Sequence, residues 1–226
     1  MPNIEQILLE GIKNRIKNSG LLGKSEYGKT WQNRDDEWYS KLFSATPIFH
    51  ENFIQFLKSK NDVKSVLEIG CGSGIYPIRY KELFSGIQYA GIDISPSAIE
   101  FCKKKSDFEF ICGDLLKMNL EKKYDLVFSQ SVIDHVYDVD LFITKIANAT
   151  KKYAYVSSYR GYFPELKKHK MEWRDNDGCY YNDVSVSKLR IALLESGLKE
   201  DEFQIRAQET GQKGLETGTI IEINRK

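Results

Sequence analysis

The sequence predicts an α/β fold in which a mostly parallel sheet of seven strands, with an antiparallel last strand, is covered by helices on both faces. From Val63 onwards, short runs rich in β-branched residues alternate with stretches of helical periodicity. This alternation is typical of parallel strands joined by crossover helices. The last two apolar runs are separated by a glycine-containing loop, which indicates an antiparallel hairpin. The chain has 226 residues, of which 41% are hydrophobic, enough for one domain with a buried core.

The first sixty residues lack this alternation and predict a helical cap. Residues 2–20 carry apolar side chains at a spacing that lines one face of a helix, namely Ile4, Ile7, Leu8, Ile12 and Ile16. Residues 20–44 are aromatic and charged, and we expect helical turns that dock on the domain. A second helix is expected over residues 47–58. The predicted organisation is therefore a cap over residues 1–60 and a main domain over 61–226.

The main domain can be divided into strands and helices by the period of its apolar residues. The predicted strands are 64–69, 88–93, 107–112, 124–129, 153–158, 203–209 and 219–225. The predicted helices are 75–84, 96–105, 138–150 and 184–197. A polar and aromatic insertion at about 159–183 follows the fifth strand. The strand order should reverse beside the fourth strand, where open α/β sheets bind ligands.

The stretch SVLEIGCGSG, residues 65–74, ends the first strand with glycine at every second position. A strand that opens into a helix through glycines leaves backbone N–H groups unpaired at the edge of the sheet, where a polar ligand can lie against them. Dinucleotide enzymes use G-x-G-x-x-G at this point. Here Gly70, Gly72 and Gly74 form G-x-G-x-G, and Ile75 takes the place of the third glycine of that fingerprint. The pattern therefore disfavours a nicotinamide dinucleotide.

Acidic residues lie at the ends of the first three predicted strands. Glu68 precedes the first glycine, and Asp93 ends the second strand about twenty residues later. A carboxylate at the position of Asp93 can accept hydrogen bonds from two ribose hydroxyls. Asp114 follows the third strand and can accept from an exocyclic amine of adenine. The spacing therefore predicts an adenosine-containing ligand.

Four segments, VLEIGCGSG, YAGIDIS, CGDL and YDLVFSQSVIDHV, follow in an order and at separations that resemble the class I S-adenosylmethionine-dependent methyltransferases. The resemblance runs from about Val63 to the C-terminus. It implies a Rossmann-like sheet with a closing antiparallel strand, S-adenosyl-L-methionine as cofactor and methyl transfer as the activity.

The resemblance also implies which residues contact the cofactor. The glycine segment would wrap the methionine part, Asp93 would bind the ribose and Asp114 the adenine amine. The residues assigned to cofactor binding in this way are Glu68, Gly70, Cys71, Gly72, Gly74, Asp93, Ile94, Asp114, Leu115 and Ser129.

The acceptor side is less well marked in the sequence. His135 lies just beyond the fourth strand and is the candidate catalytic base, with packing at the start of the following helix as the alternative. Tyr159 and Arg160 follow the fifth strand at the mouth of the same crevice and are candidate substrate contacts. Tyr180, in the insertion, and Tyr39, beside Trp31 and Trp38, are further candidates, with buried packing as the alternative.

Composition limits the partners. Lys and Arg total 33 against 32 for Asp and Glu, a net charge of +1, so nucleic acid is not an expected partner. The four cysteines lack zinc or redox spacing, no metal site is expected, and the calcium register is missing from WRDNDGCYYND. With no signal peptide or membrane span predicted, we expect a cytoplasmic protein. The oligomeric state is left open.

The expected acceptor is a small molecule, because no nucleic-acid module or basic stripe is present. The fourth strand is followed by SQSV, whereas enzymes that methylate the amino groups of nucleic-acid bases carry Asn/Asp-Pro-Pro-aromatic there. Oxygen is therefore the preferred acceptor atom. The alternatives are a protein or RNA methyltransferase, an NAD-dependent oxidoreductase and a binding module without turnover.

Overall fold

The fold is described by a computed structural model that covers residues 27–46 and 49–226. Its main sheet has seven strands, in the order β3 (Glu109–Cys112), β2 (Gln88–Asp93), β1 (Ser65–Ile69), β4 (Tyr124–Gln130), β5 (Thr150–Ser158), β9 (Leu215–Asn224) and β8 (Phe203–Gln212). Pairing is parallel from β3 through β5, and β9 runs antiparallel to both β5 and β8. The predicted seven-stranded, mostly parallel sheet with an antiparallel last strand is therefore confirmed. The predicted helix over residues 2–20 lies outside the described residues, as do residues 47–48 of the second predicted helix.

The insertion after β5 forms a separate hairpin of β6 (Lys170–Arg174) and β7 (Cys179–Asp183). The described helices are α1 (Lys29–Gln32), α2 (Asp36–Ser44), α3 (His50–Lys58), α4 (Ile75–Arg79), α5 (Pro96–Lys103), α6 (Val139–Ala149) and α7 (Val186–Glu195), with a 3₁₀ turn at Glu200–Glu202. Within residues 27–46 and 49–226, no helix is long and apolar enough to cross a membrane.

The two faces of the sheet are both apolar, and successive residues of a strand point to opposite faces. In β1, Val66 packs in the core under α3 to α5, and its neighbour Leu67 packs in the core under α6 and α7. Both side chains are 0% exposed. The sheet is therefore covered on both sides, which leaves the carboxyl ends of its strands as the open edge for a ligand.

Several boundaries differ from the prediction. Strand β5 begins at Thr150, three residues before the predicted start. The prediction missed these residues because Lys151 and Lys152 are polar and interrupt the apolar pattern. Helix α4 ends at Arg79, because Leu83 and Phe84 donate to the carbonyls three residues earlier and continue the chain as turns. The assignment of residues 1–60 to a cap and of 61–226 to the main domain stays a prediction.

Candidate functional site

A cavity of about 300 Å³ opens where β1 lies between β2 and β4, at the carboxyl ends of these strands. This is the point at which the strand order reverses, so the sheet places the cavity where open α/β sheets bind ligands. The predicted residues in its lining are Gly70, Gly72, Asp93, Ile94, Asp114, Leu115, His135, Tyr159 and Tyr39. Further lining residues include Tyr27, Trp31, Trp38, Leu42, Gln130, Ser131 and Val132.

The turn after β1 forms the floor of the cavity. The backbone N–H groups of Gly70 and Cys71 both donate to the carbonyl of Ile92, at 2.7 and 3.1 Å, which holds the turn against β2. Gly70 has a φ of +74°, and a Cβ on it would lie 2.2 Å from Cγ2 of Val132. Only glycine permits this conformation and this approach at the same time. The missing side chain keeps the turn tight against the loop after β4.

Asp93 joins the turn to the second strand. Its Oδ2 accepts the backbone N–H of Gly72 at 2.8 Å, and its Oδ1 accepts that of Ser95 at 2.9 Å. Burial raises the pKa of Asp93, while these N–H groups favour its charged form. Each carboxylate oxygen has two lone pairs, so Asp93 can still accept two hydroxyl hydrogen bonds from a ligand in the cavity.

Asp114 lies at the other side of the cavity. Its Oδ1 accepts the N–H of Leu116 at 3.0 Å, and its Oδ2 accepts the hydroxyl of Tyr137 at 3.0 Å. The Tyr27 ring packs edge-on against Tyr137 with ring centroids 4.9 Å apart. The Asp114 carboxylate is therefore oriented by its own helical turn and by an aromatic wall, and it keeps lone pairs for an amine donor.

Gln130, the last residue of β4, also lines the cavity. Both atoms of its side-chain amide are buried and make no hydrogen bond. Its polar neighbour is the Tyr76 hydroxyl, which is likewise buried and makes no hydrogen bond. A buried amide without a partner is costly, so it marks a place for a polar ligand group. Gln130 was not predicted from the sequence, although its position at the carboxyl end of β4 is the same signal that identified Asp93.

His135 has a defined tautomer. Its Nδ1 lies 2.9 Å from the backbone carbonyl of Tyr180, which can only accept, so Nδ1 carries the proton. In the neutral ring Nε2 is then an acceptor, and the hydroxyl of Tyr159 donates to it at 3.0 Å. Burial lowers the pKa of His135. The ring is therefore neutral near pH 7 and presents a basic nitrogen toward Tyr159.

The loop that carries His135 is held by the insertion hairpin. The side chain of Asn182 is fully buried, and its Nδ2 donates to the carbonyls of Ile133 and Val136 at 2.9 and 2.8 Å. Asp134 faces the interior, where its Oδ1 accepts the Ser158 hydroxyl at 2.5 Å, and burial raises its pKa to about 7. These contacts fix the loop on both sides of His135. Sequence reasoning missed Asn182 because its partners are backbone groups of a distant loop.

The structure places the remaining predicted residues outside the lining: Glu68, Cys71, Gly74, Ser129, Arg160 and Tyr180. Glu68 accepts the Tyr89 hydroxyl at 2.5 Å, and burial raises its pKa. The Ser129 hydroxyl donates to a carbonyl of β1 at 2.8 Å. Arg160 pairs with Asp183 at 3.0 Å and lies over the ring of Tyr181. These side chains therefore support the elements around the cavity.

The segment from Tyr27 to α2 covers the cavity. Tyr39 is 2% exposed, and its hydroxyl lies 2.8 Å from Oγ of Ser95, beside Asp93 and away from His135. Trp31 instead packs edge-on against the His135 ring, with centroids 5.6 Å apart. The N–H of Gly28 donates to the carbonyl of Gly178 in the hairpin at 3.1 Å. The cover and the insertion therefore meet over the cavity.

The residues present fit S-adenosylmethionine. The turn at Gly70 cannot accept a Cβ, two carboxylates can receive hydroxyl and amine donors, and the amide of Gln130 has no partner in the described protein. The aromatic rings of the cover supply apolar contact for the rest of such a ligand. The donor and acceptor set therefore matches an adenosyl group with a polar amino-acid tail.

Sequence comparison finds methyltransferases. The chain is 33% identical over 98 residues to pavine N-methyltransferase of Thalictrum flavum subsp. glaucum. This alignment covers 41% of this chain and 28% of that protein. It is 27% identical over 155 residues to the ubiquinone biosynthesis O-methyltransferase of Pelagibacter ubique. This alignment covers 62% of this chain and 62% of that protein. The chain therefore spans less than two thirds of the length of these curated relatives.

Structural comparison finds the same fold. The magnesium protoporphyrin IX methyltransferase of Synechocystis PCC 6803, solved with bound S-adenosylmethionine, aligns with a TM-score of 0.56 at 19% identity, over 78% of this chain and 77% of that one. The family model described as "Methyltransferase domain" matches residues 60–213, more than half of the chain. The chain therefore belongs to the methyltransferase domain family, and the S-adenosylmethionine-dependent class predicted from its motifs is confirmed.

Proposed function

We propose that this chain transfers a methyl group from S-adenosylmethionine to an oxygen atom of a small-molecule acceptor. The observation that carries the proposal is the cavity between β1 and β4, which combines a glycine floor, two carboxylates and a neutral histidine. Family membership supports the reaction, and the histidine supports an acceptor that must lose a proton.

In this proposal the two acids hold the two ends of the adenosyl group. Asp93 accepts from the ribose hydroxyls while keeping its bonds to Gly72 and Ser95. Asp114 accepts from the adenine amine beside Tyr27 and Tyr137. The amide of Gln130, which has no partner, faces the polar tail. Ile94 and Leu115 flank the ring from the ends of their strands.

The cofactor supplies, when bound, a methyl group on a positively charged sulfur that is already electrophilic. The protein then needs to align the acceptor oxygen, exclude water and remove a proton. Trp31 covers His135 on the cavity side, which limits water at that position. Neutral His135 is the group that receives the proton, because its Nε2 lone pair points toward Tyr159 and away from the Tyr180 carbonyl.

A small acceptor is supported by the shape and lining of the site. Aromatic side chains of the cover line the cavity, which favours a small, partly apolar acceptor over a polymer. The relatives include one named as an O-methyltransferase and one named as an N-methyltransferase. Oxygen is preferred here because the site holds a neutral base, which an alcohol needs and a free amine does not.

The test follows label from S-adenosylmethionine into a cell extract supplied with the purified chain. We expect the labelled methyl group in the low-mass fraction, in a product that resists acid treatment as an ether does. Label in protein or RNA would contradict the small-molecule acceptor. Calorimetry with S-adenosylhomocysteine and with NAD tests the cofactor separately, and we expect heat only from the former.

A further inference from the structure

The catalytic end of the cavity contains a base but no cation. Among the described residues that line the cavity, none is Lys or Arg, and the charged groups are Asp93 and Asp114 on the cofactor side. Arg160 lies outside the lining and pairs with Asp183 at 3.0 Å, although its charge still acts on His135 electrostatically. A carboxylate or phosphate acceptor would therefore meet no positive side chain in the described lining.

The acceptor types differ in what they require. A carboxylate is already ionised at neutral pH, so it needs a cation for binding and no base for reaction. A hydroxyl is neutral, so it needs no cation but must lose its proton as the new bond forms. The site contains neutral His135, whose Nε2 accepts a hydrogen bond from Tyr159, and thus matches the second case.

The surroundings of His135 are aromatic. The rings of Trp31, Tyr181 and Tyr159 lie 5.6, 5.2 and 5.8 Å from the His135 ring. Trp31 and Tyr159 also line the cavity. Aromatic faces and edges favour a flat ring through stacked or edge-on contact. The acceptor group is therefore expected on a ring.

The acceptor hydroxyl is expected to hydrogen-bond Tyr159 and not His135 directly. Nε2 has one lone pair, and the Tyr159 hydroxyl occupies it at 3.0 Å. The Tyr159 oxygen still has lone pairs that can accept an acceptor hydroxyl. Burial raises the pKa of Tyr159, so the residue keeps its proton until another replaces it. A hydroxyl in the cavity therefore reaches the base through Tyr159.

We propose, building on the function proposed above, that the acceptor is an uncharged ring compound with a hydroxyl group, whose proton passes through Tyr159 to His135. The acceptor O–H bond breaks, its proton binds the Tyr159 oxygen, and the Tyr159 proton binds Nε2 of His135. The acceptor oxygen keeps the electron pair and would use it for the new bond to the methyl carbon, whose bond to sulfur would break with its electron pair left on S-adenosylhomocysteine. One proton is thus moved, and His135 becomes an imidazolium.

The substrate class is tested with catechol and benzoate as probes of similar size. Each is titrated calorimetrically into the chain saturated with S-adenosylhomocysteine. We expect heat from catechol and a much weaker response from benzoate. Stronger binding of benzoate, or binding of neither probe, would overturn the class. If S-adenosylhomocysteine itself failed to bind, the proposed function would fail instead, so the two failures are distinct.

The relay is tested with Tyr159→Phe, and Tyr153→Phe serves as the control. Tyr153 lies on β5, the strand that Tyr159 directly follows, and its hydroxyl contacts Asp62 at 3.1 Å, outside the cavity lining. With catechol as acceptor, Tyr159→Phe should lower kcat about 100-fold and raise KM only by about the 5-fold that one lost hydrogen bond accounts for, whereas the control keeps full activity. If His135 acted directly, Tyr159→Phe would free Nε2, and unchanged or faster turnover would overturn the relay. A catechol that binds but is never methylated would overturn it too.

A readout without turnover uses the ¹⁵N signals of the His135 ring during a pH titration. In the unmodified chain Nδ1 should be protonated and Nε2 unprotonated. The Tyr159 hydroxyl stabilises the neutral ring, so Tyr159→Phe should raise the pKa of His135. A pKa that does not change would show that the Tyr159 hydroxyl does not reach Nε2 in solution and would overturn the relay.

Discussion

Oδ2 of Asp93 accepts the backbone N–H of Gly72 at 2.8 Å, so one carboxylate at the end of β2 also holds the glycine turn after β1. The acid proposed to bind the cofactor therefore shapes the floor on which the cofactor would lie. Loss of this carboxylate removes a ligand contact and a backbone support together, and both should weaken binding.

Asp93→Ala should therefore weaken the binding of S-adenosylhomocysteine by about 10- to 100-fold, measured by calorimetry. Hydrogen bonds to a charged group contribute roughly 1.5 to 3 kcal/mol, which corresponds to that range. Asp107→Ala, at an exposed position, is the matched control and should bind normally. Equal affinity of the two variants would remove Asp93 from the site.

Gly70→Ala should destabilise the fold more than Gly86→Ala does. Both glycines have a φ of +74°, but a Cβ on Gly86 has no atom within 4 Å, whereas one on Gly70 lies 2.2 Å from Val132. Gly86→Ala should cost about 1 to 2 kcal/mol from the left-handed backbone alone. Urea unfolding measures the difference. Adding Val132→Ala to Gly70→Ala should restore part of the loss, and no restoration would show that the contact is not the cause.

Asp134 should make the free energy of unfolding depend on pH. Its pKa is raised from 3.8 to about 7 in the folded chain, so between about pH 4 and about pH 7 only the folded chain keeps this proton. The free energy of unfolding contributed by Asp134 should therefore fall as the pH rises through this window, by up to about 4 kcal/mol, and level off above it.

Urea unfolding at pH 5 and at pH 8 measures this effect, with Asp134→Asn as the comparison. The amide does not titrate and can still accept from Ser158, so the variant should lose most of this pH dependence. An equally steep pH dependence in the variant would assign it to other groups.

Asn182→Ala should loosen the loop that carries His135. The change removes two hydrogen bonds and leaves the carbonyls of Ile133 and Val136 buried without their donor, a loss of about 2 kcal/mol or more. Turnover should fall while S-adenosylhomocysteine binding persists, because the amide does not line the cavity. Asn176→Ala, at the exposed turn of the same hairpin, is the control. A loss of cofactor affinity matching the loss of turnover would contradict this role.

The strand order and the cofactor side of the site could be predicted because their signals are local. Gly70 directly follows β1, Asp93 ends β2 and Asp114 lies two residues after β3, and the carboxyl ends of parallel strands meet at one edge. Gln130 obeys the same rule, and a stricter application would have found it. The hairpin of β6 and β7 could not be predicted in this way, because the residues of β6 are mostly exposed and show no apolar alternation.

The acceptor side depends on tertiary contacts and was therefore less predictable. The tautomer of His135 is set by the backbone carbonyl of Tyr180. Because every residue has a backbone carbonyl, the sequence does not indicate which one contacts His135. Tyr39 and Trp31 lie only eight residues apart, yet one packs beside Asp93 and the other beside His135. The spacing of apolar residues does not predict which ring lies beside Asp93 and which beside His135, because that depends on how the helices pack on the domain.

The place of β9 between β5 and β8 also has a consequence for biosynthesis. Residues 215–224 are the last of the sheet's strands to leave the ribosome, yet two other strands pair through them. Until they emerge, the edge of β5 that pairs with β9 has no hydrogen-bond partner within the sheet, and β8 lacks the strand with which it pairs. A nascent chain therefore has an unpaired strand edge until residues 215–224 have emerged, and chaperone protection matters most before that point.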